Sequence, residues 1–107
     1  TGREVRCNKL PRWVEELIDY MKKTGELCHA ARRAIVTWLF CVGMTADEII
    51  NVFRYASDFR YEYTEYQVEY IYNTWVSAGM PPIRCETVVR ECNGREIPGL
   101  DCGGEGS

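Results

Sequence analysis

Apolar side chains recur at helical spacing from residue 11 to residue 79 of this chain, and that period leaves room for little besides a helix bundle. Trp13, Val14, Leu17, Ile18 and Met21 mark one face of a first helix from about Pro11 to Thr24. Pro11 suits a first turn and Gly25 a C-terminal stop. A second helix, from about Cys28 to Val42, carries Ala30, Ala31, Ala34, Ile35, Trp38 and Leu39 on its core side and closes at Gly43. Its alanines let a neighbouring helix come close. A third begins at Thr45, where Thr45-Ala46-Asp47-Glu48 has the residue types of a capping box, and buries Ala46, Ile49, Ile50 and Phe53. A fourth begins at Thr64 with a second such pattern, Thr64-Glu65-Tyr66-Gln67. It faces the core with Val68, Ile71, Tyr72 and Trp75 and ends at Gly79. Pro81-Pro82 then breaks the pattern. The reading is an all-α fold: a small bundle of four main helices with an irregular, Cys-containing C-terminal tail. Residues 1–102 form one domain, and the glycine-rich residues 103–107 are expected to be disordered.

The length of 107 residues fits a single domain with a modest core. No apolar run approaches membrane-spanning length, so no membrane role and a cytoplasmic location are expected. The chain opens at Thr1 without an initiator Met or a signal-peptide pattern, which fits a fragment of a longer protein or a mature chain. The net charge of −3 argues against a general nucleic-acid binder. Residues 1–33 nevertheless hold eight Lys/Arg against five acids, and the remainder holds five against eleven. A polyanion would meet the surface built by the first third, although a basic helix face also serves simply as a solvated surface.

Three groups of residues could carry chemistry. His29, Arg32 and Arg33 are spaced i, i+3 and i+4 in the first turn of the second helix, on a face shared with Val36 and Phe40. Free backbone amides there also favour anions, so a phosphate would meet guanidinium forks and main-chain donors together. The bland alternative is a solvated basic turn. Tyr63, Tyr66 and Tyr70 fall on one side of the fourth helix, away from its core face. Beside Arg54 and Arg60 they could stack bases, or pack at the rim of the core.

The cysteines form the third group. Cys28 and Cys41 lie thirteen positions apart on one helix, roughly 20 Å at the α-helical rise, too far to bond to each other. Cys7, Cys85, Cys92 and Cys102 come from the two ends of the domain and could clamp it around an iron–sulfur cluster or zinc. A disulfide framework ranks equally. The chain shows no nucleophile–base arrangement, no phosphate-binding glycine loop and only one histidine, so a catalyst in its own right is not expected.

Taken in order, several runs carry a family resemblance: Leu27-Cys28-His29-Ala30-Ala31-Arg32, residues 43–50 with Phe53, Asp58-Phe59, residues 64–71, and residues 81–88. The chain resembles the C-terminal domain of the archaeal and eukaryotic DNA primase large subunit, and the related helix-bundle domains of plasmid-borne primases, over residues 7 to about 92. The resemblance implies a non-catalytic accessory domain. Such a domain holds single-stranded template DNA and the triphosphate of the initiating nucleotide while a separate catalytic domain or subunit of the primase makes the phosphodiester bond. The family's histidine–x–x–arginine pattern falls on His29 and Arg32, with Arg33 in support. Its tyrosine–glutamine pattern falls on Tyr66, and Tyr70 stands where the family often has histidine. The family's 4Fe–4S cluster would take Cys7, Cys85, Cys92 and Cys102. This chain departs from the family in its short tail and its extra Cys28 and Cys41, which keeps disulfides in place of a cluster open. A disulfide-stapled helical module that binds protein is the alternative function.

Overall fold

A computed structural model of the chain describes residues 5–92 and residue 102. Among them five helices follow in order: α1 (Arg12–Thr24), α2 (His29–Cys41), α3 (Ala46–Val52), α4 (Tyr61–Ile71) and α5 (Cys85–Cys92). A 3-10 turn, Phe53–Tyr55, continues α3, and a π-helical turn, Tyr72–Val76, continues α4. No strand occurs among the described residues, and no helix there is long and apolar enough to cross a membrane. The fold is all-α, as expected. Residues 103–107, expected to be disordered, lie outside the described residues.

α1 starts and stops, and α3 starts, for local reasons. Pro11 sits just before α1 with φ −66°, a value its ring imposes, and its carbonyl accepts from Val14 and Glu15. Gly25 ends α1 at φ +76°, and its N–H donates to the Met21 carbonyl at 2.7 Å. Here glycine is required twice over, because a Cβ would sit in left-handed backbone and only 3.0 Å from the Ser57 Cβ. Ser57 in turn donates its N–H to the Gly25 carbonyl at 2.7 Å, which ties the end of α1 to the α3–α4 connection. At α3 the capping box forms as expected: Glu48 N–H donates to Thr45 Oγ1 at 3.2 Å, and Thr45 N–H donates to Glu48 Oε1 at 2.9 Å.

Two elements differ from the expectation. α4 begins at Tyr61, three residues before Thr64, with Arg60 in extended conformation before it and no side-chain cap. Thr64 is not an N-cap, because its N–H already donates to the Arg60 carbonyl at 2.9 Å within the first turn. Residues 85–92, expected to be irregular, are helical and bury Cys85, Val88 and Cys92 at i, i+3 and i+7.

α2 is the centre of the molecule. It packs against α1, α3, α4, α5 and the π-helical turn. Ala31, Ala34 and Ile35 are fully buried, and Val36, expected on the outer face with the arginines, is 3% exposed. The alanines give the neighbouring helices their close approach. Leu17, Met21, Leu39, Ile49, Val68 and Val88 complete the core, and Trp13 meets Trp38 edge to face at 6.1 Å. The segment before α5 is fastened to α2 by polar contacts. Thr37, a buried hydroxyl, donates to the Ala34 carbonyl and accepts from Ile83 N–H, while Trp38 Nε1 donates to the Ile83 carbonyl at 2.7 Å.

The six cysteines form three pairs: Cys7–Cys41, Cys28–Cys92 and Cys85–Cys102. Cys28 and Cys41, set apart in the sequence as extras, therefore belong to the framework. The first pair holds the entering chain on the end of α2, where Cys7 N–H also donates to the Cys41 carbonyl at 2.9 Å. The second joins the start of α2 to the end of α5, and the third joins the start of α5 to the tail.

Candidate functional site

The first turn of α2 has no side-chain cap and no acidic residue, in contrast to α3. Its positive end is therefore compensated by nothing on its own helix. His29, Arg32 and Arg33 project from this turn and line one cavity of about 310 Å³. The arginines have different surroundings. Arg32 is held on two sides: Nε donates to the Leu27 carbonyl at 3.0 Å, and Nη2 lies 3.2 Å from Asp58 Oδ1. Arg33 is more loosely paired, with Nη1 3.8 Å from Glu91 on α5. Both pairs are half-exposed, where such bridges contribute about 0–1 kcal/mol, so a multiply charged anion can displace the carboxylates.

The cavity is polar at its rim and apolar at its floor. α2 supplies His29, Arg32 and Arg33 and then, one turn on, Val36. α4 supplies Thr64 and Gln67 and then Val68 and Ile71. The α3–α4 connection closes the third side with Phe53, Ala56, Asp58 and Phe59. A second cavity of about 280 Å³ shares His29, Arg33, Gln67 and Ile71 with the first and adds Tyr70, Thr74 and Trp75. His29 and Arg33 thus stand on the ridge between two cavities.

The five residues expected to bind ligand are not all equivalent. His29, Arg32 and Arg33 come together at the first cavity. Tyr70 joins them through the second. Tyr66 lines neither cavity, but its ring stacks on that of Tyr70 at 6.3 Å, and the two are 62% and 55% exposed. Together they form an aromatic platform beside the ridge. Sequence reasoning missed Asp58, quoted only within a run that carries the resemblance, and Gln67, read as half of a capping box. Asp58 is three-dimensional information, since nothing local connects it to Arg32. Gln67 had a signal in its position one residue after Tyr66 and three before Tyr70 on the same helix.

The 4Fe–4S cluster implied by the resemblance does not fit these residues. Its four expected ligands, Cys7, Cys85, Cys92 and Cys102, are divided among three different sulfur pairs. Winding residues 85–92 into α5 also separates Cys85 from Cys92 by roughly 10 Å along the axis. Among the described residues no group of three or more His, Cys, Asp or Glu is placed to hold a metal ion. Of the two readings left open by the sequence, a cluster and disulfides, the three cysteine pairs agree with disulfides.

No solved structure matches the chain. Similar curated proteins include the DNA primase large subunit PriL of Archaeoglobus fulgidus, 44% identical over 68 residues, which span 64% of this chain and 18% of that protein. PriL of Methanosarcina barkeri is 40% identical over 84 residues, 78% of this chain and 20% of the relative. PriL of Thermoplasma volcanium is 33% identical over 78 residues, 73% of this chain and 24% of the relative. The matches thus span about a fifth of the length of these relatives. The sequence model for the C-terminal domain of the eukaryotic and archaeal DNA primase large subunit matches residues 3–102, and the chain belongs to that family.

Proposed function

We propose that this domain grips the triphosphate of an initiating nucleotide at His29, Arg32 and Arg33 and holds single-stranded template DNA against Tyr66 and Tyr70. The observation that carries the reading is the convergence of both arginines and the histidine, at an uncapped helix N-terminus, on one cavity beside a stacked tyrosine pair. The domain makes no bond itself. It presents nucleotide and template to a separate catalytic domain or subunit of the primase, in the cytoplasm where the template is, and its cysteines act as disulfides that hold the clamp in shape.

Arg32→Ala is the direct test. A hydrogen bond to a charged group is worth about 1.5–3 kcal/mol, so the substitution should weaken ATP binding by roughly tenfold to a hundredfold. Wild-type domain should also bind a single-stranded oligonucleotide more tightly with ATP present. If Arg32→Ala leaves both affinities intact, the site assignment is wrong. If neither ligand shifts any NMR signal of the wild type, the function is wrong. The disulfide-paired cysteines and the exposed tyrosines also favour a second reading, a stapled module that binds protein. Salt separates the two, since phosphate contacts impose a steep fall of DNA affinity with ionic strength.

A further inference from the structure

α4 turns two unlike sides to its surroundings. Gln67 faces the cavities at the start of α2. Glu69, two residues on, lies on roughly the opposite side of the helix. With Tyr72, Asn73, Ala46 and Phe40 it lines a separate groove of about 350 Å³ between the end of α2, the start of α3 and the end of α4. Phe40 and Tyr72, both half-buried, meet there with ring centroids 5.1 Å apart. Tyr72 opens the π-helical turn, a backbone form found often at functional sites. The rim of the groove is acidic. Glu62, Glu65 and Glu69 follow at i, i+3 and i+7 on one stripe of α4, and Asp47 follows Ala46 on α3. None of these four carboxylates has an ion-pair partner among the described residues. Like charges four residues apart, as at Glu65 and Glu69, destabilise a helix. α4 has neither a side-chain cap nor a basic residue in its last turn to offset that.

We propose that this groove docks an arginine-bearing basic segment of a partner protein. A guanidinium laid against the Phe40 and Tyr72 rings gains their attraction for a cation, and the Glu69 carboxylate at the rim can accept its N–H groups as a fork. Arginine suits the site better than lysine because its planar group both stacks and forks. Glu62, Glu65 and Asp47 steer the rest of a basic segment toward the groove. Residues 44–76 hold six acids against two bases, so this face repels nucleic acid. A merely solvated acidic face would need no aromatic groove beside it. The proposal does not depend on the triphosphate reading. Because α4 stands between the groove and the cavities, a partner on one side leaves the other open.

The experiment titrates the oxidised full chain with a blocked peptide of alternating arginine and glycine, and with its lysine counterpart, while amide NMR signals are followed. The arginine peptide should shift the amides of Phe40, Ala46, Glu69 and Asn73 and bind about threefold more tightly than the lysine peptide. Glu65→Gln/Glu69→Gln should weaken it by about tenfold. Glu15→Gln/Glu16→Gln, which removes the same charge from the exposed face of α1, should change little. Phe40→Leu keeps an apolar side chain without the ring and should erase the preference for arginine over lysine. An equal loss in the α1 variant would reduce the effect to diffuse charge and overturn the proposal. So would peptide shifts that fall outside the groove, or a single-stranded oligonucleotide that shifts the groove amides instead. Groove signals that move on dilution without peptide would assign the face to a second copy of this chain, and that too overturns it.

Discussion

Arg32 is held before any ligand arrives. The Leu27 carbonyl fixes its Nε, and Asp58 takes one of its terminal nitrogens. The first contact orients the guanidinium without competing for its charge. The second both orients and competes. Asp58 is 64% exposed, so its attraction for Arg32 is screened and contributes at most about 1 kcal/mol to stability. Its carboxylate also lines the cavity and repels an incoming phosphate. Competition therefore outweighs orientation in this geometry. Asp58→Asn should raise ATP affinity by about two- to fivefold, the equivalent of up to about 1 kcal/mol, and should move the urea midpoint little. Titration with ATP at fixed salt checks this. A drop in affinity would instead make Asp58 a positioning residue for Arg32.

The helices were legible in proportion to how much of their order is local. α1, α2 and α3 carry their own stripes and stops, and Thr45–Glu48 is a cap because nothing else satisfies those amides. Thr64–Gln67 has the same residue types without the need, since the helix is already running when the chain reaches Thr64. α5 was hidden because two of its three buried positions are cysteines, which invite a reading as ligands. The basic turn was legible for the same reason as α1, because His29, Arg32 and Arg33 are neighbours on one helix. The cavity they open into was not, because Phe53, Asp58 and Gln67 reach it only through tertiary packing. The makeup of α5 has a consequence. Its one buried aliphatic side chain, Val88, gains about 1.5–3 kcal/mol from burial, whereas ordering eight residues costs about 1–2 kcal/mol each. So short a helix does not hold itself together, and its sulfur links must supply the difference. In the double variant Cys28→Ser/Cys92→Ser, amide exchange across residues 85–92 should speed by tenfold or more while α1 stays protected. Protection of α5 equal to that of α2 in that variant would show that packing alone docks it.

For the molecule as a whole, the sulfur pairs and the proposed clamp meet on one helix. α2 is bolted at its start through Cys28 to α5 and at its end through Cys41 to the entering chain. The turn proposed to grip ligand follows Cys28 directly, so the framework that joins α2 to α5 also sets where His29, Arg32 and Arg33 point. Links spanning 34, 64 and 17 residues each remove roughly 3–4 kcal/mol of chain entropy from the unfolded state in the loop-closure treatment. Together that is comparable to the whole stability of a domain this size, about 5–15 kcal/mol. The covalent framework is thus on the scale of the whole margin by which a domain of this size stays folded. Full reduction with a dithiol should lower the thermal midpoint by more than about 20 °C, given that about 1 kcal/mol moves a domain of this length by roughly 4–8 °C. ATP binding should be lost in parallel with near-ultraviolet circular dichroism, because the clamp has no fixed geometry once α2 is unbolted. A reduced protein that kept its midpoint within a few degrees would place the burden of stability on the core. A reduced protein that kept its fold but lost ATP binding would show that the pairs tune the clamp and not the fold.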